Sequence, residues 1–411
     1  MSGRLLVRPF LLRSLCRRIF SPAFSMEEAW SQRHTEMAKL GLGGDYEWIG
    51  TVQKKFIGGG VASAVDVDAA VCMAEEKDQV DDVLQIVRKL RHSPSAARLC
   101  PSSQYALLRL FIRHRPEDII EIVNDPINNG IFPDEHCACL IIDHLIEKNE
   151  IGMAARVAGW VMQQEMFSSP ILNCISIVAL LKWTELSDEE RKVPMGEKEE
   201  EEINDDDIVT IKMPFLKNSF NDEHFDLMNA NSLVGKSLIW LSRETQLDEN
   251  IKSGCNLIGS VLLGGNISPL LSSPSFLPCA AKTALSILKA IPEPSDAQKE
   301  YCDALSRIGG DAEDKFSNHV LAHLECIRME EENKMMENQK KTFSEWNERR
   351  RQLVMKQAKR LTLNLRRLQL NNELSQLEEE EEKLFFFERR LVLERAAKEN
   401  MQITQEATQM K

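Results

Sequence analysis

The sequence predicts an all-α protein in which stacked helical hairpins are followed by a long charged helix. Strong helix formers such as Leu, Ala, Glu, Lys and Arg are plentiful, whereas the 411 residues include only 3 Tyr. From residue 62 onward, apolar residues recur at helical spacing in paired segments. Residues 311–411 contain neither Pro nor Gly. A chain of this length accommodates about two to three domains.

The composition excludes several classes of protein. A formal net charge of −13 is incompatible with a uniformly basic nucleic-acid binder, so any contact with RNA must come from a local basic segment. No apolar run approaches the ~20 residues that cross a bilayer, and no membrane association is expected. The 10 Cys are scattered without a regular framework, which is typical of reduced, buried thiols.

Residues 1–25 have the pattern of a mitochondrial presequence. They contain five arginines and no acidic residue, and apolar residues fill the positions between the arginines. The arginines also interrupt the apolar stretch that a secretory signal needs. A disordered basic arm is the alternative, and in either case the segment is not expected to belong to the fold. The arginines are Arg4, Arg8, Arg13, Arg17 and Arg18.

Residues 26–184 divide into an N-terminal helix, a linker and a set of repeated hairpins. A helix is predicted over 26–39. In the glycine-bearing link that completes residues 26–61, no Lys-Ser or Lys-Thr follows the glycines at the spacing of a phosphate-binding loop. Within 62–184, helical pairs are predicted at 64–74 with 80–90, at 103–114 with 116–124, and at 135–147 with 150–165. Their period of about 35 residues predicts a solenoid, because one such hairpin cannot bury its apolar face alone.

The rest of the chain alternates between charged and helical segments. Residues 185–215 include a run of carboxylates that repel one another, which predicts a disordered acidic loop. A second helical block over 216–310 has candidate helices at 222–246, 249–263, 276–291 and 295–308. Residues 311–411 are predicted to form one long charged helix or a helical hairpin, with coiled-coil character.

Leucines in this C-terminal segment recur at seven-residue spacing, as coiled coils require. The companion seam is poor, because Glu381 and Glu388 follow Leu374 at the same phase. A long helix lying along a partner, or an imperfect hairpin, is therefore favoured over a symmetric two-stranded coiled coil. The leucines are Leu363, Leu370, Leu377, Leu384 and Leu391.

The side chains that could carry chemistry do not form a convincing site. One cluster resembles a set of metal ligands: His136, Cys137, Cys139 and His144. Structural zinc needs four converging ligands, whereas Cys137 and Cys139 point to different faces of one helix. There is no Gly-x-Ser-x-Gly elbow and no recognisable set of nucleophile, base and acid. We therefore predict no catalytic residue, no metal, no cofactor and no small-molecule substrate, and we do not expect an enzyme.

The strongest functional signal is a basic segment between Lys340 and Arg367. It holds ten basic and two acidic residues, a net charge of +8 in an otherwise acidic chain. Phosphate neutralisation with counterion release gives such a segment sequence-independent, salt-sensitive affinity for RNA. A charged helix that balances the acidic segments is the alternative. The candidate phosphate contacts are Lys340, Lys341, Arg349, Arg350, Arg351, Lys356, Lys359, Arg360, Arg366 and Arg367, together with Lys89, Arg91 and Arg113 in the hairpins.

The hairpins resemble the pentatricopeptide repeat, a family whose stacked hairpins bind single-stranded RNA. The Gly-Ile-Phe-Pro-Asp turn at residues 130–134 matches the turn that ends each repeat, and Ala154 falls at the small residue of its second helix. Stretches at 89–94, 161–167 and 346–354 are similar to one such family, the pentatricopeptide-repeat proteins numbered twenty-seven in the mitochondrial small ribosomal subunit. The resemblance is clearest over residues 62–170.

This resemblance implies a mitochondrial matrix location, membership of the small ribosomal subunit, and contact with ribosomal RNA and with other small-subunit proteins in support of mitochondrial translation. Cys139 occupies the position where base-reading repeats carry a polar side chain. The hairpins are therefore expected to provide shape and protein packing and not to read base sequence. Two alternatives stay open: a free pentatricopeptide-type factor in RNA processing or translation activation, and an adaptor that binds only protein. A generic helical bundle is the alternative fold.

Overall fold

A computed structural model of the chain describes residues 18–43, 46–57, 60–195, 224, 227, 229–272, 274–291, 296–309 and 314–409. These ranges contain helices and no strand, which confirms the predicted all-α class. Residues 196–215 of the predicted acidic loop lie outside the described residues. The chain divides into two compact units, of which the first ends at Glu348 and the second begins at Arg349.

The helix bounds follow the predicted pattern closely in the hairpins. The helices are α1 (Glu27–Lys39), α2 (Tyr46–Lys54), α3 (Ala64–Met73), α4 (Gln79–Arg91), α5 (Pro101–His114), α6 (Ile119–Asn124), α7 (Pro126–Asn129), α8 (Glu135–Glu147), α9 (Ile151–Gln163), α10 (Pro170–Thr184), α11 (Ala230–Glu244), α12 (Glu249–Leu262), α13 (Ser268–Ser272), α14 (Pro278–Lys289), α15 (Asp296–Gly309) and α16 (Phe316–Gln409). Of these, α2, α10 and the short helices α7 and α13 were not predicted. The C-terminal segment is one continuous helix rather than a hairpin.

The first part of the first unit is a solenoid of helical hairpins. The helices α3, α5, α8 and α10 begin at residues 64, 101, 135 and 170, which agrees with the predicted period. Each packs against the next, and each is followed by a partner helix of its own hairpin or, for α10, by α11. Between α3 and α5 the buried carboxylate of Asp68 accepts hydrogen bonds from the hydroxyls of Ser102 and Ser103. The stacking buries apolar faces that no single hairpin covers.

Side-chain caps define where several of these helices begin. The Asp134 side chain accepts a hydrogen bond from the backbone N–H of Cys137 at 2.7 Å, and α8 starts at the next residue, Glu135. Ser63 caps α3 and Ser169 caps α10 in the same way. These oxygens satisfy backbone donors that a helix leaves without an internal partner. Helix starts are therefore encoded by single residues within the turns.

The turn after α7 depends on a glycine. Gly130 has a φ of +59°, a left-handed conformation that L side chains adopt rarely. A Cβ placed there would lie 2.5 Å from Nε of Arg91, so the missing side chain also makes room for this arginine. Arg91 is buried at the end of α4. The turn thus joins two consecutive hairpins by direct packing.

The second helical block completes the first unit. The helix α11 packs on α9, α10 and α12, α12 packs on α14, and α14 packs on α15. The sequence predicts a helix over 222–246, but α11 begins only at Ala230, where the side chain of Asn229 accepts a backbone hydrogen bond from Asn231. Most residues between 222 and 229 lie outside the described part of the chain. None of the described helices has the length and apolarity needed to cross a bilayer.

Residues 18–25 are packed into the fold, which differs from the expectation that all of residues 1–25 stand outside it. Phe24 is fully buried and Phe20 nearly so, with ring centroids 4.4 Å apart. The backbone O of Phe24 lies 2.8 Å from Nε2 of His136 on α8, and the backbone O of Ile19 accepts a hydrogen bond from Arg328 on α16. Charge pattern alone does not reveal such contacts.

The first part of α16 packs within the first unit. Its start is held by Glu185, whose carboxylate accepts hydrogen bonds from the backbone N–H and the hydroxyl of Ser317, both at 2.8 Å. Further along, the Gln339 amide donates to Asp134 at 3.0 Å. The rings of Phe343 and Trp346 lie 5.5 and 5.3 Å from the ring of Tyr105. Residues 316–348 are therefore an integral part of the solenoid unit.

Candidate nucleic-acid interface

The second unit begins with the most basic stretch of the chain. Residues 349–367 of α16 contain eight basic residues, and no acidic residue lies between Glu348 and Glu373. At a rise of ~1.5 Å per residue, these positions extend along ~27 Å of helix. A surface of that length can contact several successive phosphates.

Six of these eight basic side chains share one face of α16. Successive helix residues are rotated by ~100°, which places the six within an arc of ~120°. All six are exposed. We call them the basic face, and its members are Arg349, Lys356, Lys359, Arg360, Arg366 and Arg367.

Within the part of the chain that the structure describes, most cations of the basic face have no carboxylate partner. Among the described residues, only Arg366 of this set has a carboxylate within 4.0 Å, and that contact to Glu373 is long at 3.8 Å. Downstream in the same helix the situation is different, because Arg389 pairs with Glu381 at 3.1 Å and Arg390 with Glu394 at 2.8 Å. The cations of the basic face are therefore available to bind an external anion.

The other candidates on α16 have different environments. Lys340 and Lys341 are exposed and, among the described residues, have no ion pair. Arg351 is exposed but takes part in other interactions. Arg350 is only 4% exposed, and it too has partners within the chain. Its burial does not agree with the expectation that it contacts phosphate.

The three candidates in the hairpins do not form a comparable surface. Lys89 is exposed on α4, and the side chain of Arg113 lies 3.5 Å from the carboxylate of Glu27. Arg91 is 6% exposed and packs against Gly130, and burial lowers the pKa of its guanidinium. Because the buried guanidinium fills the space beside the turn, Arg91 packs inside the fold, which does not support the predicted contact with phosphate.

The metal-like cluster on α8 is occupied by packing and hydrogen bonds. Burial lowers the pKa of His136 to about 4 and raises those of Cys137 and Cys139 well above their usual range. A neutral His136 donates from Nε2 to the backbone O of Phe24 and accepts at Nδ1 from the Tyr105 hydroxyl. In the described part of the chain, no group of three or more potential ligands is arranged to hold a metal ion.

Sequence reasoning missed the central role of Arg109. Its guanidinium donates to the backbone O of Ser25 at 2.7 Å, to the Tyr105 hydroxyl at 3.1 Å, and to Glu27 at 2.6 Å. A cavity of about 620 Å³ adjoins these residues, and the arginines that line it have carboxylate partners. No periodicity or motif distinguishes Arg109 from its exposed neighbours.

These features define an all-α protein of stacked helical hairpins that carries one long, locally basic helix. A family model described as mitochondrial 28S ribosomal protein S27 matches residues 2–376. The chain belongs to this family, and it is a component of the mitochondrial small ribosomal subunit. The match includes the hairpins and the whole basic face, and it ends just before the run of glutamates at 378–382. The resemblance to the pentatricopeptide repeat stays a prediction.

Proposed function

We propose that this protein is a non-catalytic structural component of the small subunit in the mitochondrial matrix, where its basic face contacts the phosphates of ribosomal RNA. The observation that carries the proposal is the acid-free stretch at residues 349–367, with exposed cations that have few partners within the chain. Neighbouring ribosomal proteins would contact the remaining surface of the protein. The arginine-rich N-terminal segment would serve as an import signal.

Contact through the basic face is electrostatic and independent of base sequence. Arginine and lysine side chains displace condensed counterions from the phosphate backbone, so affinity falls steeply as salt rises. The face offers no aromatic side chain on which a base could stack, because the only aromatic residues of the second unit are Phe385, Phe386 and Phe387. Recognition would therefore depend on the position of the phosphates.

The hairpins support a structural role over that of a free base-reading factor. Base-reading repeats carry polar side chains on an accessible surface of the first helix. Here the corresponding residue, Cys139, is fully buried in α8. At this position the hairpin therefore contributes to packing and not to base recognition. This favours a structural component of a large assembly over a free base-reading factor.

Charge reversal on the basic face tests the proposed RNA contact. The variant combines Lys356→Glu, Arg360→Glu and Arg367→Glu, and the matched control combines Arg389→Glu, Arg390→Glu and Arg395→Glu in the same helix. For the full-length protein and a small-subunit ribosomal RNA fragment, the first variant should lower the salt slope of log Kd by about 2–3. The control changes net charge equally and should leave that slope within about 1 of the wild type.

The same pair of variants can be compared in mitochondria that lack the wild-type protein. On sucrose gradients at increasing KCl, the basic-face variant should leave the small subunit at lower salt than the control. Equal retention of both variants across the salt series would contradict the proposed contact while leaving the ribosomal assignment intact.

A further inference from the structure

The N-terminal segment meets a buried carboxylate at Ile19. The backbone N of Ile19 donates to Oδ1 of Asp143 on α8 at 2.7 Å, and the backbone N of Phe20 donates to the same carboxyl group. Ile19 is 9% exposed and Asp143 is 6% exposed. The first buried residue of the described chain is thus placed directly on an acidic side chain.

Asp143 forms no direct ion pair with any cation that the structure describes. Among the residues that the structure describes, no cation lies within 4.0 Å of it, because the adjacent Arg18 pairs with Glu147 at 2.7 Å instead. Burial raises the pKa of Asp143 to about 6. A buried carboxylate is unfavourable unless a counter-charge and hydrogen bonds compensate for its lost hydration. Backbone N–H groups and the more distant charge of Arg18 compensate for only part of this cost, because the pKa of Asp143 stays raised.

The Arg18–Ile19 peptide bond divides an exposed residue from a buried one. The side chain of Arg18 is 52% exposed, and its ion pair with Glu147 is a surface contact of the kind that contributes little to stability. We propose that hydrolysis of the Arg18–Ile19 bond produces the mature N-terminus, and that the new α-ammonium group of Ile19 forms a buried ion pair with Asp143. This inference goes beyond the proposed function, and RNA contact does not depend on it.

The covalent step is an ordinary peptide hydrolysis by a presequence-cleaving endopeptidase. Water supplies the hydroxyl group that joins the Arg18 carbonyl carbon, and the C–N bond breaks with a proton going to the Ile19 nitrogen. The resulting α-amine has an ordinary pKa of roughly 7.7–8.0, so it takes up a further proton at neutral pH. Because Ile19 is buried in the fold, hydrolysis must precede folding.

The surroundings of the site can accommodate the extra N–H groups. One donor keeps the existing bond to Oδ1 of Asp143, and the cavity of about 620 Å³ is lined there by Arg18, Asp143 and His144. Removal of Arg18 enlarges this space and admits water, which can accept the remaining hydrogen bonds. The Ile19 carbonyl stays anchored by Arg328 at 2.9 Å. The chain path therefore does not need to change after cleavage.

The mature N-terminus can be determined directly on protein isolated from mitochondria. Chemical labelling of α-amines followed by mass spectrometry should identify a peptide that begins at Ile19. A mature chain that begins at any other residue would overturn the proposal. This measurement is independent of the charge-reversal experiments on the basic face.

The ion pair itself is tested by a double-mutant cycle on the chain that begins at Ile19. The four proteins carry a free or an acetylated α-amine, each with Asp143 or with Asp143→Asn. Acetylation should lower the Tm by about 2–5 °C when Asp143 is present, and by less than about 1 °C in the Asp143→Asn background. A third background, Asp303→Asn on the exposed surface of α15, should respond as the parent does. Equal shifts with and without Asp143 would overturn the ion pair.

Discussion

Gly130 combines two constraints that can be separated by experiment. Its positive φ favours glycine, and the space where a Cβ would lie holds the side chain of Arg91. Gly130→Ala should lower the free energy of unfolding by about 2–4 kcal/mol, the sum of backbone strain and displaced packing. Urea denaturation followed by circular dichroism measures the change.

Gly41 is the matched control for that substitution. Its φ is +64°, but nothing lies within 4 Å of the position that a Cβ would occupy. Gly41→Ala should therefore cost only the backbone part, about 1 kcal/mol. If both alanine variants lower the free energy of unfolding by the same amount, the close approach of Arg91 contributes nothing to the cost of Gly130→Ala.

Asp134 should make stability depend on pH. Burial raises its pKa to about 6, above the ~3.9 of an unfolded aspartate. The native state then binds more protons between about pH 4 and 6, so this carboxylate reduces stability as the pH rises through that window. Asp134→Asn preserves a capping oxygen. The variant should gain about 2–3 kcal/mol relative to the wild type between pH 4 and pH 7.

Chemical denaturation at several pH values measures this relative gain. Glu121→Gln on the exposed face of α6 removes a carboxylate of the same charge and is the control. A stability difference between Asp134→Asn and the wild type that stays constant with pH would contradict the explanation. Arg109 and Glu135 also influence Asp134 electrostatically, and both are unchanged in these variants.

At the scale of elements, the first part of α16 is held by an aromatic cluster on α1 and α5. Phe343 lies 5.5 Å from both the Trp30 and the Tyr105 rings. Phe343→Ala should destabilise the first unit by about 2–3 kcal/mol and increase amide hydrogen exchange in residues 335–348. Glu345→Ala, an exposed position on the same helix, should change neither quantity. Unchanged exchange in Phe343→Ala would show that the cluster does not anchor α16.

The hairpins illustrate which elements can be predicted from sequence. The bounds of α8 agree with the prediction because Asp134 supplies a cap and the apolar residues recur on one face. In contrast, α10 was missed because it is buried on every side, from Ile171 to Thr184, and such a helix has no amphipathic period. The helix α2 lies between glycines that suggest a linker. Periodicity identifies helices that are half exposed.

The basic face and its exceptions show the same limit for functional residues. The excess of cations between Lys340 and Arg367 predicts a basic segment, of which residues 349–367 are the acid-free part. It could not distinguish Arg350, which is buried, from Arg349 and Arg351, which are exposed. The sequence also could not show whether Arg91 is exposed or buried, because its burial depends on a turn 39 residues further along the chain. Local charge predicts a surface, whereas tertiary packing decides which side chains belong to it.

At the scale of the whole molecule, two kinds of surface coexist in one acidic chain. In the first unit the arginines that line the cavity have carboxylate partners, whereas on the basic face only Arg366 has a carboxylate of the described chain within 4.0 Å. The net charge of −13 therefore does not describe the basic face, whose charge is positive. Binding to the ribosome should therefore depend on salt much more strongly than folding does.

The contacts of residues 18–25 have a consequence for the order in which the protein folds. The backbone N–H of Ser21 donates to Glu332, which lies 311 residues further along, and Arg328 reaches back over 309 residues to Ile19. Contacts of such large sequence separation form late, because the entropy of closing the loop is lost before any attraction is gained. The hairpins that lie between residue 25 and α16 in the sequence can assemble from local contacts. Residues 18–25 can pack on α8 from shorter-range contacts, but their hydrogen bonds to α16 must wait until that helix is in place, and until then this segment is more open to chaperones and proteases.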